Sequence, residues 1–255
     1  MTPDKIIDIL FSAMAALIAL TVHEFCHGYA AYKLGDDTAK NFGRLTLNPM
    51  KHIDPYGAIC MVLFHIGWAK PVPINARNFK DPQKGFAITA AAGPAANLIL
   101  GFFTIPLFLL SRNGFVYVYM QTQGSESFLV NVLLNLSRFL SAFYSINIGL
   151  GLFNLLPIPP FDGSRLLYIF LPQKIYFEIM KYERKIYYGV LAWLLLGSYV
   201  AEGIRMIPFV ASNSFLYSIA GIFSLSGIIK TVIQTVSFGM ISFWELIPIF
   251  SNAPF

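Results

Sequence analysis

The sequence predicts an all-α polytopic membrane protein of five to six transmembrane helices, built on a three-helix core with a small membrane-associated β region. Three observations carry this reading. Of 255 residues, 56% are hydrophobic and only 12% charged, about half the ~25% charge of an average soluble domain. Apolar runs recur at the length needed to cross a hydrocarbon core of ~30 Å at ~1.5 Å per residue. Between the first two runs lies a polar stretch rich in proline and alternating residues, which suits short strands rather than another span.

Taken in order, residues 6–32 form the first span, ending near Lys33-Leu34-Gly35 with Gly35 as a C-terminal cap. The N-terminal Met1-Thr2-Pro3-Asp4-Lys5 carries no small-residue cleavage site, so the run is read as a retained helix rather than a removed signal. Residues 36–84 form a β/re-entrant region. Gly43 to Pro49 alternates and stops at Asn-Pro. Residues 56–68 are apolar but too short to span, and Pro71 and Pro73 within 71–78 favour an extended edge strand. The second span covers 86–110, with a small-residue face at Ala90 to Asn97 and a kink expected at Pro94. Residues 112–127 read as a polar connector.

The third span is placed at 139–158, after an interfacial helix, because Arg138 fits poorly within lipid. Pro157, Pro159 and Pro160 break its end. Residues 1–172 are thus read as the core. Residues 173–255 hold a basic interfacial stretch (173–186), spans at about 187–204 and 212–236, and an interfacial tail.

The net charge of +5 reports membrane orientation rather than nucleic-acid binding. Lys33, Lys40, Arg44, Lys51, Lys70, Arg77, Lys80 and Lys84 fall between the first two spans. Lys174, Lys181, Arg184 and Lys185 follow the third. The opposite side holds only Lys5, Arg112, Arg205 and Arg138. Basic loops face the cytoplasm, so the N-terminus lies outside. Two cysteines, Cys26 and Cys60, sit in apolar settings and do not make a disulfide framework.

Polar side chains that can ionise are rarely spent within a span without a role. The first span carries His23-Glu24-Phe25-Cys26-His27. Four residues apart on a helix, both imidazoles share one face and fit one zinc ion. Glu24 is placed to take a proton from a water at the metal without ligating it. Zinc needs a third ligand. Asp36, Asp37, Asp54 and Asp81 lie in polar loops. Asp162 stands apart, since it follows the proline-broken third span, where unpaired carbonyls must face protein or a water-filled cavity. It is open to a second role as the turn residue before Gly163. His52 and His65 have no partner at ligand spacing and are read as packing residues, as is Cys26. Arg165 is open to pairing with Asp162 or a lipid headgroup.

His23-Glu24-x-x-His27, Gly93-Pro94-Ala95-Ala96-Asn97 and Asn154-x-x-Pro157-x-x-x-x-Asp162-Gly163 together resemble the site-2 protease family of intramembrane zinc metalloproteases. The match covers residues 6–170. The resemblance implies that the three-helix core is catalytic, that His23, His27 and Asp162 hold Zn2+, and that Glu24 is the general base. It also implies that segments 43–49 and 71–78 are the family's membrane-associated β region. The length leaves no room for an appended PDZ or nucleotide-sensing domain. The partners implied are a transmembrane protein or peptide as substrate and the lipid bilayer. Asn97 and Asn154 are expected to bind that substrate or its oxyanion. The alternatives are a bond between helices for Asn97 and backbone bonding at the broken helix for Asn154. The expected location is the cell membrane, with the site toward the cytoplasm. A metal-ion transporter or an inactive membrane-binding protein could use the same His/Asp site. Transport would need polar residues along a whole path, and the outer halves of the spans read as nearly bare of them.

Overall fold

Helix α1 (Pro3–Lys33) enters through Pro3 at its first turn, where a missing N–H costs nothing. Its buried stripe is Ala15, Ala19, His23, His27 and Ala31, residues spaced by four along one face. Gly35 follows with φ 103°, the left-handed turn that favours glycine. The computed structural model describes residues 2–57, 69–125, 127–214, 216 and 225–251.

After the short α2 (Thr38–Asn41), the expected β region forms no strand among the described residues. Its only ladder contact there is an isolated antiparallel bridge between Ile53 and Ala69. Residues 71–75 belong to no regular element, with Asn75 extended, and Ala76–Asn78 make one 3-10 turn. The physical reason lies in where the backbone donors go. Val72 N–H donates to Glu24 Oε2 at 2.9 Å and Asn75 N–H to Asp36 Oδ2 at 2.7 Å. Two donors that a strand partner would use are thus taken by carboxylates. The expected re-entrant segment, with Cys60 and His65, lies largely outside the described residues. His52 is buried and braces the loop, donating from Nε2 to the Thr46 carbonyl at 2.8 Å.

Helix α3 (Pro82–Gln121) is capped by Asp81, whose side chain accepts from Lys84 N–H. It continues eleven residues past the predicted end at 110, through Pro94 and Pro106, so most of the expected polar connector is helical. Its buried face includes Ala87, Ala90, Pro94, Asn97 and Gly101, a small-residue stripe that admits α4 closely. A Cβ built on Gly101 would lie 2.6 Å from Ile148 Cγ1, and one on Gly151 3.0 Å from the Pro94 carbonyl.

Helix α4 (Phe128–Asn154) is one helix, not an interfacial helix followed by a span. Arg138 fits because it pairs with Asp4 at 3.0 Å and Asp8 at 2.9 Å across on α1. Asp8, Arg138, Ser12, Ser137, Ser141 and Ser145 line a cavity of about 440 Å3. This end of the bundle, away from the two histidines, is therefore more polar than its sequence suggests. Between that cavity and His23, α1 presents Ala15 and Ala19, both fully buried.

The chain breaks after Asn154, as the prolines require, and α5 (Asp162–Leu167) begins at Asp162. Gln83 donates to the Tyr168 carbonyl at 2.7 Å, tying the 3-10 turn that follows α5 to the start of α3. Helix α6 (Gln173–Arg205) runs unbroken through the expected interfacial stretch and the 187–204 span. It is followed by α7 (Pro208–Ala211) and α8 (Leu225–Glu245); the predicted 212–236 span falls partly outside the described residues. Around Ile105, Leu109, Tyr144 and Ile148, the core of α3 and α4 is covered by Ile233, Met240 and Trp244 of α8. Trp244 donates its indole N–H to the Phe102 carbonyl at 3.0 Å. Among the described residues, α1, α3 and α4 are long and apolar enough to cross a membrane. The chain is an all-α integral membrane protein.

Candidate metal centre

His23 and His27 come from one turn of α1, and the break after α4 returns the chain so that Asp162, the first residue of α5, meets them. The three side chains converge on three atoms. His23 Nε2 and His27 Nε2 are 3.0 Å apart, and each is 3.1 Å from Asp162 Oδ2. Both histidines are buried. Asp81, in contrast, caps α3, and Asp36 ties down the 75–78 loop, so neither completes this cluster.

The far nitrogens show what the near ones carry. His27 Nδ1 lies 2.7 Å from the Thr89 carbonyl, which can only accept, so Nδ1 bears the proton. His23 Nδ1 lies 2.6 Å from Asn97 Oδ1. The Asn97 amide is oriented by its other end, which donates to the Ala19 carbonyl at 3.1 Å and to Asn147 Oδ1 at 2.9 Å. His23 Nδ1 is therefore also the protonated nitrogen. In neutral rings both Nε2 atoms then present lone pairs to each other and to a carboxylate oxygen. Three lone-pair atoms at this spacing repel unless a positive charge lies among them. A tetrahedral zinc with ligands at ~2.0 Å would set its donor atoms ~3.3 Å apart, close to the separations here. His23, His27 and Asp162 fit Zn2+ by chemistry and by spacing, with imidazoles held from behind as zinc ligands are.

Gly93 of α3 faces the pair. A Cβ there would strike His27 Nε2 and come within 2.8 Å of His23 Cε1. Only a residue without a side chain leaves room for the two rings.

A cavity of about 190 Å3 opens beside the cluster. Glu24, Asn154 and Arg165 line it with the three candidate ligands. Glu24 is held there by the Val72 N–H. Asn154 donates to the Leu150 carbonyl at 3.0 Å, the backbone bond expected at a helix end, while its residue still borders the cavity. Arg165 packs its guanidinium 4.7 Å from the centre of the Phe86 ring. Asn97 stands elsewhere: it is fully buried behind His23 and absent from the cavity lining, joining α1, α3 and α4.

Sequence reading passed over Asn147, Gly93 as a contact of the rings, and the Val72 N–H. An amide inside a span was the available signal for Asn147. The other two depend on the packing of distant segments.

No solved structure matches the chain. A protein of Bacillus subtilis (strain 168) described as "Putative zinc metalloprotease YwhC" is 41% identical over 195 residues, 74% of this chain and 83% of that protein. "Putative zinc metalloprotease Rip2" of Mycolicibacterium smegmatis (strain ATCC 700084 / mc(2)155) is 36% identical over 90 residues, 33% of this chain and 34% of that protein. The family model of peptidase family M50 matches residues 11–197, which takes in all three candidate ligands, the glutamate beside them and the helices that hold them. With the family model and the first relative both spanning most of the chain, this protein belongs to peptidase family M50.

Proposed function

We propose that the protein is an intramembrane zinc metalloendopeptidase that hydrolyses a peptide bond within or beside a transmembrane segment of another membrane protein. The observation that carries this is the convergence of His23 Nε2, His27 Nε2 and Asp162 Oδ2 within 3.1 Å of one another, beside Glu24 in one cavity.

His23, His27 and Asp162 hold the ion. Zinc, when bound, supplies Lewis acidity toward the attacking water and the scissile carbonyl. Glu24 accepts the proton of the attacking water on its carboxylate and passes it to the leaving nitrogen. The Val72 N–H keeps that carboxylate turned into the cavity. Asn154 and Arg165 border the space that the substrate carbonyl enters. A helical substrate has its amides bonded within itself, so a short length must unwind to reach the site. The basic loops flanking the core support a cytoplasmic-facing site.

The test is Glu24→Gln in the full chain, co-expressed with a membrane-protein substrate. Loss of cleavage with retained zinc is expected. Undiminished cleavage would remove Glu24 from the reaction. Metal flux without cleavage products would favour a transporter. The buried Ala15 and Ala19 between the cavity at Arg138 and His23 speak against such a path.

A further inference from the structure

We infer that Asn147, a residue of α4 outside the cavity, is a positioning residue that sets the zinc affinity of the site by fixing the Asn97 amide and, through it, the tautomer of His23. The inference rests on the reading of His23 as a metal ligand.

An asparagine amide has an accepting end and a donating end of nearly the same shape. Turning it over costs little in space but reverses its chemistry. As placed, Asn97 offers Oδ1 to His23 Nδ1, which keeps the ring proton there and leaves the Nε2 lone pair for the metal. Turned over, it would offer N–H to Nδ1. The ring proton would then belong on Nε2, the atom that must ligate. The orientation of Asn97 is therefore a choice between a site that can bind zinc and one that cannot.

Two acceptors settle that choice, the Ala19 carbonyl and Asn147 Oδ1. Asn147 is itself an amide and needs an anchor. Its Nδ2 donates to the Phe143 carbonyl one turn back at 2.8 Å, and a carbonyl can only accept. The roles then run in one direction, from the Phe143 carbonyl through Asn147 and Asn97 to His23. Asn97 and Asn147 are both fully buried, so no bulk water stands ready to replace a missing partner. Partners behind a metal-ligating histidine typically change metal affinity by about 10- to 100-fold when removed. Asn147 stands one bond further back.

The experiment measures zinc affinity of the purified full chain by competition with a chelator, together with thermal unfolding of the metal-free protein. Asn147→Leu is expected to weaken zinc binding by about tenfold. Asn147→Asp, which in its neutral form can still donate to the Phe143 carbonyl and accept from Asn97, is expected to bind zinc within a few-fold of wild type. Because Asn147 acts through Asn97, Asn97→Leu combined with Asn147→Leu should bind no more weakly than Asn97→Leu alone. Where Asn147→Leu does not accumulate, Asn147→Ser, too short to reach Asn97, serves in the same comparison. Unchanged zinc affinity with a lowered unfolding temperature would reduce Asn147 to a packing residue and overturn the inference. So would additive losses in the double variant. A wild-type chain that binds zinc as tightly as His23→Ala would instead overturn the reading of the site itself.

Discussion

The backbone N–H of Val72 donates to the carboxylate of Glu24 at 2.9 Å, joining a loop to a transmembrane helix 48 residues earlier. The bond decides where the candidate base points. Val72→Pro removes the donor and leaves Glu24 in place. Cleavage should fall by roughly 10- to 100-fold, the equivalent of one hydrogen bond to a charged group at ~1.5–3 kcal/mol. Zinc content should not change. Val72→Ala, which keeps the N–H, should retain most activity. Equal activity in both variants would show that the loop does not position Glu24.

Gly93→Ala offers a sharper test of the site's shape. Alanine favours helix by about 1 kcal/mol over glycine, so α3 itself gains. The added methyl group, however, collides with His27 and His23. Zinc binding should drop by at least tenfold while the protein remains folded and membrane-inserted, as metal analysis and circular dichroism would show. Normal zinc content in this variant would mean that the rings do not meet the metal in this arrangement.

Asp162→Ala removes the third candidate ligand and leaves two histidines. Zinc should become sub-stoichiometric in the purified protein, with cleavage lost, since catalytic sites use three protein ligands and an open position. Near-stoichiometric zinc insensitive to this change would exclude Asp162 from the site.

Asp36 governs the loop that presents Val72. It is fully buried and accepts from Asn75 N–H at 2.7 Å, from Asn78 Nδ2 at 2.7 Å and from both the N–H and hydroxyl of Thr38. Burial opposes its ionisation, but these donors overcome it and hold its pKa below the usual carboxylate range. A carboxyl lowered by folding contributes stability above its unfolded value of ~3.9, and that stability is lost as pH falls toward its folded value. Asp36→Ala should cost about 1–3 kcal/mol through unpaired buried donors. It should also flatten the fall in thermal stability below about pH 4. An unaltered acid profile would show that Asp36 carries no linked proton.

The parts of this architecture written in short-range pattern were readable from the chain. The His23–His27 spacing, the proline break before Asp162 and the apolar runs of α1, α3 and α4 depend only on neighbours in sequence. The missing parts depend on partners far away. Alternation at 43–49 and the prolines of 71–78 suggested strands, because side-chain pattern does not reveal that Val72 and Asn75 spend their N–H groups on Glu24 and Asp36. Arg138 read alone moves the start of the span to 139, because the sequence does not show that Asp4 and Asp8 meet it from α1. Asn97 was readable as a polar residue inside a span. Its placement behind His23 required the packing of three helices.

The candidate ligands lie far apart in the chain: Asp162 is 135 residues from His27 and 139 from His23. An ion held by all three would therefore act as a removable cross-link, closing a loop that embraces the entire catalytic core. The entropic cost of closing a loop grows with the logarithm of its length, so this link restricts the unfolded chain about as much as the Arg138–Asp8 pair that joins α1 to α4, but it depends on a metal. Chelation should thus do more than stop the chemistry, because it would also cut the clasp that keeps α5 against α1.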